Sequence, residues 1–230
     1  MKKTTDALYQ NKMYFTGLII ILFTAILFLL FAGKETAFIS LNSYHPFMLN
    51  VFFINYTFIG DGIFALCLIA LMFFYFKRKK CAMALLYSFL ISGLAAQIIK
   101  NLVYSPRPKL YFEAGTYLNF INGVTVTGNS SFPSGHTATA FAIATVLVLM
   151  MKNKNWQLLI LMAAVLVGYS RIYLAEHFLL DVIVGAFLGS ISGMLAFYLA
   201  DQRVNVKVLF KKIQRASSEP DPSTAVIQTV

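Results

Sequence analysis

Apolar residues in this chain do not alternate with polar ones at a strand period, nor do they mark one face of a helix. They run together in stretches of about 20 residues, divided by short segments that carry most of the charge. Six stretches read as spans, at roughly 14–33, 51–76, 81–104, 136–151, 156–173 and 179–200. In hydrocarbon such a stretch must satisfy its own backbone hydrogen bonds, and a helix does so. The expected fold is all-α: a membrane bundle of six transmembrane helices, one domain over 1–200, followed by a cytoplasmic tail over 201–230. The fourth and fifth stretches are short, so the adjoining loops are expected to pull on their ends. The first has Lys2, Lys3 and Lys12 ahead of it, as a signal peptide would. Its apolar run is too long for a signal core, and an uncleaved anchor is expected.

Composition agrees with this pattern. The chain is 59% hydrophobic and 12% charged, with a mean hydropathy of +0.72, whereas soluble domains are about 25% charged. A net charge of +10 would suit nucleic acid. The distribution argues otherwise. Fourteen of the nineteen Lys and Arg lie on one side of the six-span plan: in the N-terminus, in Lys77-Arg78-Lys79-Lys80, at Lys152 and Lys154, and in the tail. That side is expected to be cytoplasmic, with both termini on it. No nucleic-acid partner is expected. The tail's end, Ser217 to Ser223, has the composition of a disordered segment. Its earlier part, Val204 to Ile213, mixes apolar and basic residues as a segment lying on the inner leaflet would.

Five cations remain for the outer side: Lys34, Lys100, Arg107, Lys109 and Arg171. Three of them belong to short motifs. Lys100-x6-Arg107-Pro108 closes the third span, Pro133-Ser134-Gly135-His136 opens the fourth, and Ser170-Arg171-x5-His177-x3-Asp181 joins the fifth to the sixth. All three fall on one membrane surface, which supports a single site. Arg offers a rigid fork for phosphate oxygens and Lys a movable charge. Ser134 suits an N-cap, and Gly135 lets free helix-start amides approach an anion. His177 and Asp181 stand four apart, on one helix face. A carboxylate on one ring nitrogen fixes the tautomer and frees the other nitrogen to attack phosphorus. His136 can protonate a leaving oxygen. The charge of a phosphoryl group in transfer is met by Lys100, Arg107 and Arg171 without a metal. No carboxylate cluster suits Mg²⁺ and no His/Cys group suits Zn²⁺, so neither metal nor cofactor is expected.

These segments resemble the signature of the type 2 phosphatidic acid phosphatase superfamily, which also contains the soluble vanadium haloperoxidases: K-x6-RP, then PSGH, then SR-x5-H-x3-D. Every signature position is met, in order. The resemblance implies that His177 is the nucleophile, Asp181 its orienting partner and His136 the acid. It implies that Lys100, Arg107, Ser134, Gly135 and Arg171 hold the phosphate.

Other residues have weaker readings. Asp61, between Gly60 and Gly62 in the second span, either bonds a neighbouring helix or lines the substrate path, with the structural role favoured. His45 reads as interfacial, and Lys109 as a snorkelling cation. Glu176 either tunes His177 or is solvated at a helix end. In and beside the long segment 105–132, Tyr104, Tyr111, Phe112, Tyr117, Phe120 and Phe132 suit a headgroup-level aromatic belt better than a lid. Asn129-Ser130-Ser131 fits a glycosylation sequon. Cys67 and Cys81 are expected to form neither a disulfide nor a metal site.

The expected activity is hydrolysis of a lipid phosphomonoester or diphosphate on the extracytoplasmic face of a bacterial membrane. Candidate substrates are undecaprenyl diphosphate, phosphatidylglycerol phosphate, phosphatidate and lipid A phosphates. Two alternatives stay open. One is a phosphotransferase with the same intermediate; the other is a lipid or anion transporter that binds without chemistry.

Overall fold

In a computed structural model, residues 2–112, 120–121, 124 and 130–218 are described, with side chains placed for 6–112, 120–121, 124 and 130–202. Tyr117, Asn129 and residues 219–230 lie outside the described residues. The helices are α1 (Lys2–Gln10), α2 (Lys12–Leu41), α3 (Phe47–Tyr56), α4 (Gly62–Ala70), α5 (Lys79–Leu102), α6 (Pro108–Tyr111), α7 (Gly135–Met150), α8 (Gln157–Tyr173) and α9 (Leu179–Ser218). Among the described residues there is no strand, only an isolated bridge between Ser105 and Ser130.

The all-α membrane plan holds. Among the described residues, four helical segments are long and apolar enough to cross a bilayer: Lys12–Leu41, Lys79–Leu102, Lys154–Tyr173 and Leu179–Gln202. The second span is not the single straight helix expected. Its arms, Phe47–Gly60 and Gly62–Tyr75, meet at 58°. Asp61 is the break: its backbone is extended, and its carboxylate caps α4 by accepting from the Ile63 N–H at 2.7 Å. The fourth predicted span, α7, has only 16 residues. It can be short because it is sheathed by other helices, with nearly every side chain from Thr137 to Leu149 buried.

The first and last spans also differ from expectation. Gly33, at φ 77°, bends α2 where the predicted span ends, and the chain stays helical to Leu41. A Cβ at Gly33 would meet nothing within 4 Å, so backbone conformation rather than space calls for glycine. Beyond the bend, Ala37 and Phe38 pack against Phe178 and Leu179 at the start of α9. At the other end of the chain, α9 passes residue 200 and runs to Ser218. From residue 201 to 219 there is no Gly or Pro to stop it.

The closest helix pairing is between α7 and α9, and glycine makes it possible. Gly185, Gly189 and Gly193 recur every four residues along one stripe of α9. A Cβ on Gly185 would fall 2.6 Å from the Ser134 carbonyl oxygen, on Gly189 2.2 Å from that of Ala138, and on Gly193 2.8 Å from that of Ala142. Backbone therefore lies against backbone along three turns. This contact fixes the start of α7, which carries His136, against the start of α9, which carries Asp181.

The ends of the bundle differ in chemistry. At one end, Lys80 pairs with Asp201, Lys154 reaches Asn11 Oδ1 at 2.8 Å, and the Tyr14 N–H donates to Gln157 Oε1 at 3.1 Å. Lys100 lies at the far end of α5, whose 24 residues rise about 36 Å.

Gly189→Ala should destabilise the protein by about 1–3 kcal/mol, because a backbone carbonyl cannot step aside. Gly93→Ala, where a Cβ meets nothing within 4 Å, should hold or raise stability. Thermal unfolding of the two variants in detergent checks the contrast; equal effects would remove the special role of the stripe.

Candidate active site

Each predicted site residue stands at a helix terminus, and the bundle brings those termini to one end. Lys100 is in the last turn of α5. Arg107 is the extended residue before α6, with Pro108 at the first helical position, where the missing N–H costs nothing. Ser134 caps α7: its hydroxyl oxygen accepts from the Thr137 N–H at 3.4 Å and from the Thr137 hydroxyl at 2.8 Å. Its own N–H donates to the Asp181 carbonyl at 3.0 Å, which ties the second motif to the third. A Cβ on Gly135 would meet nothing within 4 Å, so the helix start faces open space.

The turn between α8 and α9 brings Arg171 and His177 together. The Glu176 N–H donates to the Arg171 carbonyl at 2.9 Å and the Ala175 N–H to that of Ile172 at 2.9 Å, a Schellman pair. Ala175 takes the left-handed conformation, φ 54°, that this turn requires. The chain reverses, and the His177 N–H also reaches the Arg171 carbonyl, at 3.1 Å. Guanidinium and imidazole thus share one end of the bundle, six positions apart in sequence.

His177 is buried, with Nδ1 3.5 Å from Asp181 Oδ2. Asp181 is held in turn by the Phe178 N–H at 2.9 Å and by the Ser131 hydroxyl. Ser131 also lies 3.5 Å from His177 Nδ1, so it bridges the pair. Burial pushes His177 down to about 4, against the opposing pull of Asp181. The ring is therefore neutral at physiological pH, the state in which a nitrogen lone pair is available. Lys100 lies within electrostatic reach of Arg107, Arg171 and Asp181, and His136 within reach of Arg171, His177 and Lys100. The eight predicted site residues thus form one cluster.

Three further groups belong to it that the motifs do not name. Ser131 reaches Asp181 because the start and end of the long connection meet, the Ser131 N–H donating to the Ser105 carbonyl at 3.0 Å. Glu176, buried, pairs with Arg107 and stands 3.5 Å from Arg171 Nη2. It is a counter-anion shared by two guanidiniums, rather than a solvated helix-end acid. Thr57 Oγ1 accepts from Arg171 Nη1 at 2.6 Å. Arg171 Nε, also buried, has no hydrogen-bond partner among the described residues. Such a donor points to an anion.

The remaining outer residues pack nearby. Tyr111 and Phe112 contact Phe178 at 5.2 and 6.1 Å between ring centroids, and Phe112 stacks on Phe38 at 5.5 Å. Lys34 stands 4.0 Å from the centre of the Phe178 ring. These aromatics wall the turn next to His177. His45 stacks on Tyr173 at 4.1 Å. Among the described residues, no group of three His, Cys, Asp or Glu could hold a metal ion.

A family model described as the PAP2 superfamily matches residues 81–205, more than half of the chain. The chain belongs to the PAP2 superfamily. Two solved structures share its fold. Aquifex aeolicus LpxE is 31% identical with a TM-score of 0.64, over 72% of this chain and 94% of that one. A PAP2-type phosphatidylglycerolphosphate phosphatase from Bacillus subtilis is 26% identical with a TM-score of 0.58, over 86% of this chain and 96% of that one. An undecaprenyl-diphosphatase of Sulfolobus acidocaldarius is 32% identical over 53% of this chain. The match spans 56% of that relative's length.

A His177 nucleophile, as the motif resemblance implies, would place the acid limb of turnover unusually low. An imidazole normally gains its proton near 6.5; here it does so near 4. Turnover should persist as pH falls through 6.5 and fail only as it falls through about 4. A kcat/KM profile, corrected for the second ionisation of the substrate phosphate, checks this; a limb centred near 6.5 counts against a buried neutral ring.

Glu176 yields a second expectation. Glu176→Gln removes the negative charge that an incoming phosphate must compete with at two guanidiniums. Vanadate inhibition should tighten several-fold, and an unchanged inhibition constant would show that the carboxylate does not share the anion's place.

Proposed function

We propose that this PAP2 protein hydrolyses the phosphate ester or diphosphate of a membrane lipid through a phosphohistidine. The observation that carries the reading is a buried guanidinium, Arg171, with an unpartnered Nε, in a cluster that also holds a neutral imidazole and a helix start open at Gly135. Together they form an anion site with a nucleophile inside it.

The chemistry runs in two steps. His177 Nε2 attacks phosphorus, the N–P bond forms, and the P–O bond to the lipid breaks with its electron pair going to oxygen. His136 gives that oxygen a proton. Water then attacks the phosphohistidine, His136 takes back a proton, and phosphate leaves with His177 restored. Asp181, steadied by Ser131 and the Phe178 amide, holds His177 Nδ1 throughout. Lys100, Arg107, Arg171 and the amides after Ser134 take the charge on the outer oxygens. The reaction so written needs no metal.

The substrate's tail is proposed to stay in the bilayer. An apolar groove lined by Ile59, Phe64, Ala140, Ile143 and Ile160 begins one turn along α7 from His136 and could take an acyl or prenyl tail. The positive-inside asymmetry supports a site that opens outward, with both termini cytoplasmic. The names of similar proteins keep undecaprenyl diphosphate, phosphatidylglycerol phosphate and lipid A phosphates among the candidate substrates; phosphatidate completes the panel to test.

Phosphate release from that panel in detergent should be abolished, at least about a thousandfold, by His177→Ala. It should survive EDTA and be blocked by vanadate. Loss of wild-type turnover on chelation, or its retention in the alanine variant, would overturn the mechanism.

A further inference from the structure

The break at Asp61 does more than bend a helix. Its carboxylate divides its two oxygens: Oδ1 caps α4 through the Ile63 N–H at 2.7 Å, and Oδ2 stands 3.6 Å from His136 Nε2. A cap needs one oxygen, and a neutral Ser, Thr or Asn supplies it without placing a charge in a membrane span. The second oxygen therefore calls for its own explanation. The segment around it is clamped onto the site. A Cβ on Gly60 would lie 2.7 Å from the His136 carbonyl oxygen and 3.0 Å from the His136 Cβ. Thr57, one turn earlier, accepts from Arg171. The neighbourhood of His136 is otherwise cationic, with Lys100 and Arg171 in reach. Glu176 is engaged with the guanidiniums and Asp181 with His177.

We propose that Asp61 is the positioning residue of His136, holding the imidazole through Nε2 so that Nδ1 presents a proton to the leaving oxygen. The inference rests on the phosphatase reading above and extends it. Each histidine then has its own carboxylate: a buried pair for attack, and a pair about one-third exposed for departure, the side chains of His136 and Asp61 being 33% and 35% accessible. The 3.6 Å separation is an ion-pair distance, longer than a hydrogen bond. Contacts to catalytic groups are commonly loose before substrate binds. In the step itself the proton passes from His136 to the lipid oxygen as the P–O bond breaks, and Asp61 only holds the ring.

Leaving-group dependence separates this role from a merely structural one. An alkoxide needs the proton; a nitrophenolate departs without it. The test compares turnover of dodecyl phosphate and 4-nitrophenyl phosphate by Asp61→Asn, in which the amide still caps α4. The expected result is a loss of about a hundredfold on dodecyl phosphate, a change within about threefold on 4-nitrophenyl phosphate, and unchanged vanadate inhibition. Asp61→Glu should recover part of the loss. In a His136→Ala background, Asp61→Asn should have no further effect. Equal losses on both substrates, or no loss on either, overturn the proposal while leaving the phosphatase reading intact. A wild-type protein that releases phosphate from neither substrate, nor from any lipid phosphate, overturns both.

Discussion

A guanidinium at the edge of a hydrocarbon slab must find negative charge, and the motif-bearing end of this bundle is organised by that demand. Arg171 closes α8, buried, where water cannot solvate it. Arg107 and Lys100 add two more cations within electrostatic reach. Three carboxylates answer them, each delivered by a backbone feature: Glu176 by a Schellman turn, Asp181 by the first turn of α9, and Asp61 by a broken span. Burying charges of both signs without close pairing would be destabilising by several kcal/mol per ion. Even so paired, Arg171 keeps one buried N–H unanswered, and the site retains an attraction for one more anion.

That arrangement is only as good as the packing that registers it. The motifs lie on different helices, so their convergence depends on how closely those helices approach and how far each is shifted along its neighbour. The glycine stripe of α9 settles both for the central pair. The Ser134 carbonyl oxygen lies 2.6 Å from where a Gly185 Cβ would stand, and the Ser134 N–H can then bond the Asp181 carbonyl. The second and third motifs thereby become one hydrogen-bonded unit. Contacts made by backbone tolerate less drift than contacts made by flexible side chains, as a pocket for a tetrahedral anion requires.

Much of this was legible in the sequence, and the parts that were not share a cause. Long apolar runs gave six elements, and Lys and Arg asymmetry placed the motif residues on one surface, because hydrophobicity and charge are local properties. Ser131 carried no signal: it lies in an irregular connection, and its role arises when Ser105 and Ser130 meet across it. Glu176 was readable as an acid beside a histidine, but its partnership with Arg107 spans 69 positions. Asp61 was visible as an anomaly between two glycines. Hydropathy sees through such a break, because an apolar run scores the same whether straight or bent by 58°. The stripe at 185, 189 and 193 was readable in principle, since small residues four apart are a known signal for close helix contact.

In the proposed mechanism, burial rather than residue type separates the tasks of the two histidines. Each has a carboxylate within 3.6 Å, so partner identity does not separate them. Exposure does. His177 is enclosed, with its Nδ1 side occupied by Asp181 and Ser131, which fixes the ring neutral and in one orientation; a nucleophile gains from both. His136 stands at the start of α7 with its side chain 33% accessible, where the proposed mechanism has the lipid depart and water enter. A group that gives a proton in one half of the cycle and takes one in the other must touch both the lipid oxygen and the incoming water. Exchanging the two environments would leave each histidine poorly suited to the other's task, although the side chains are chemically the same.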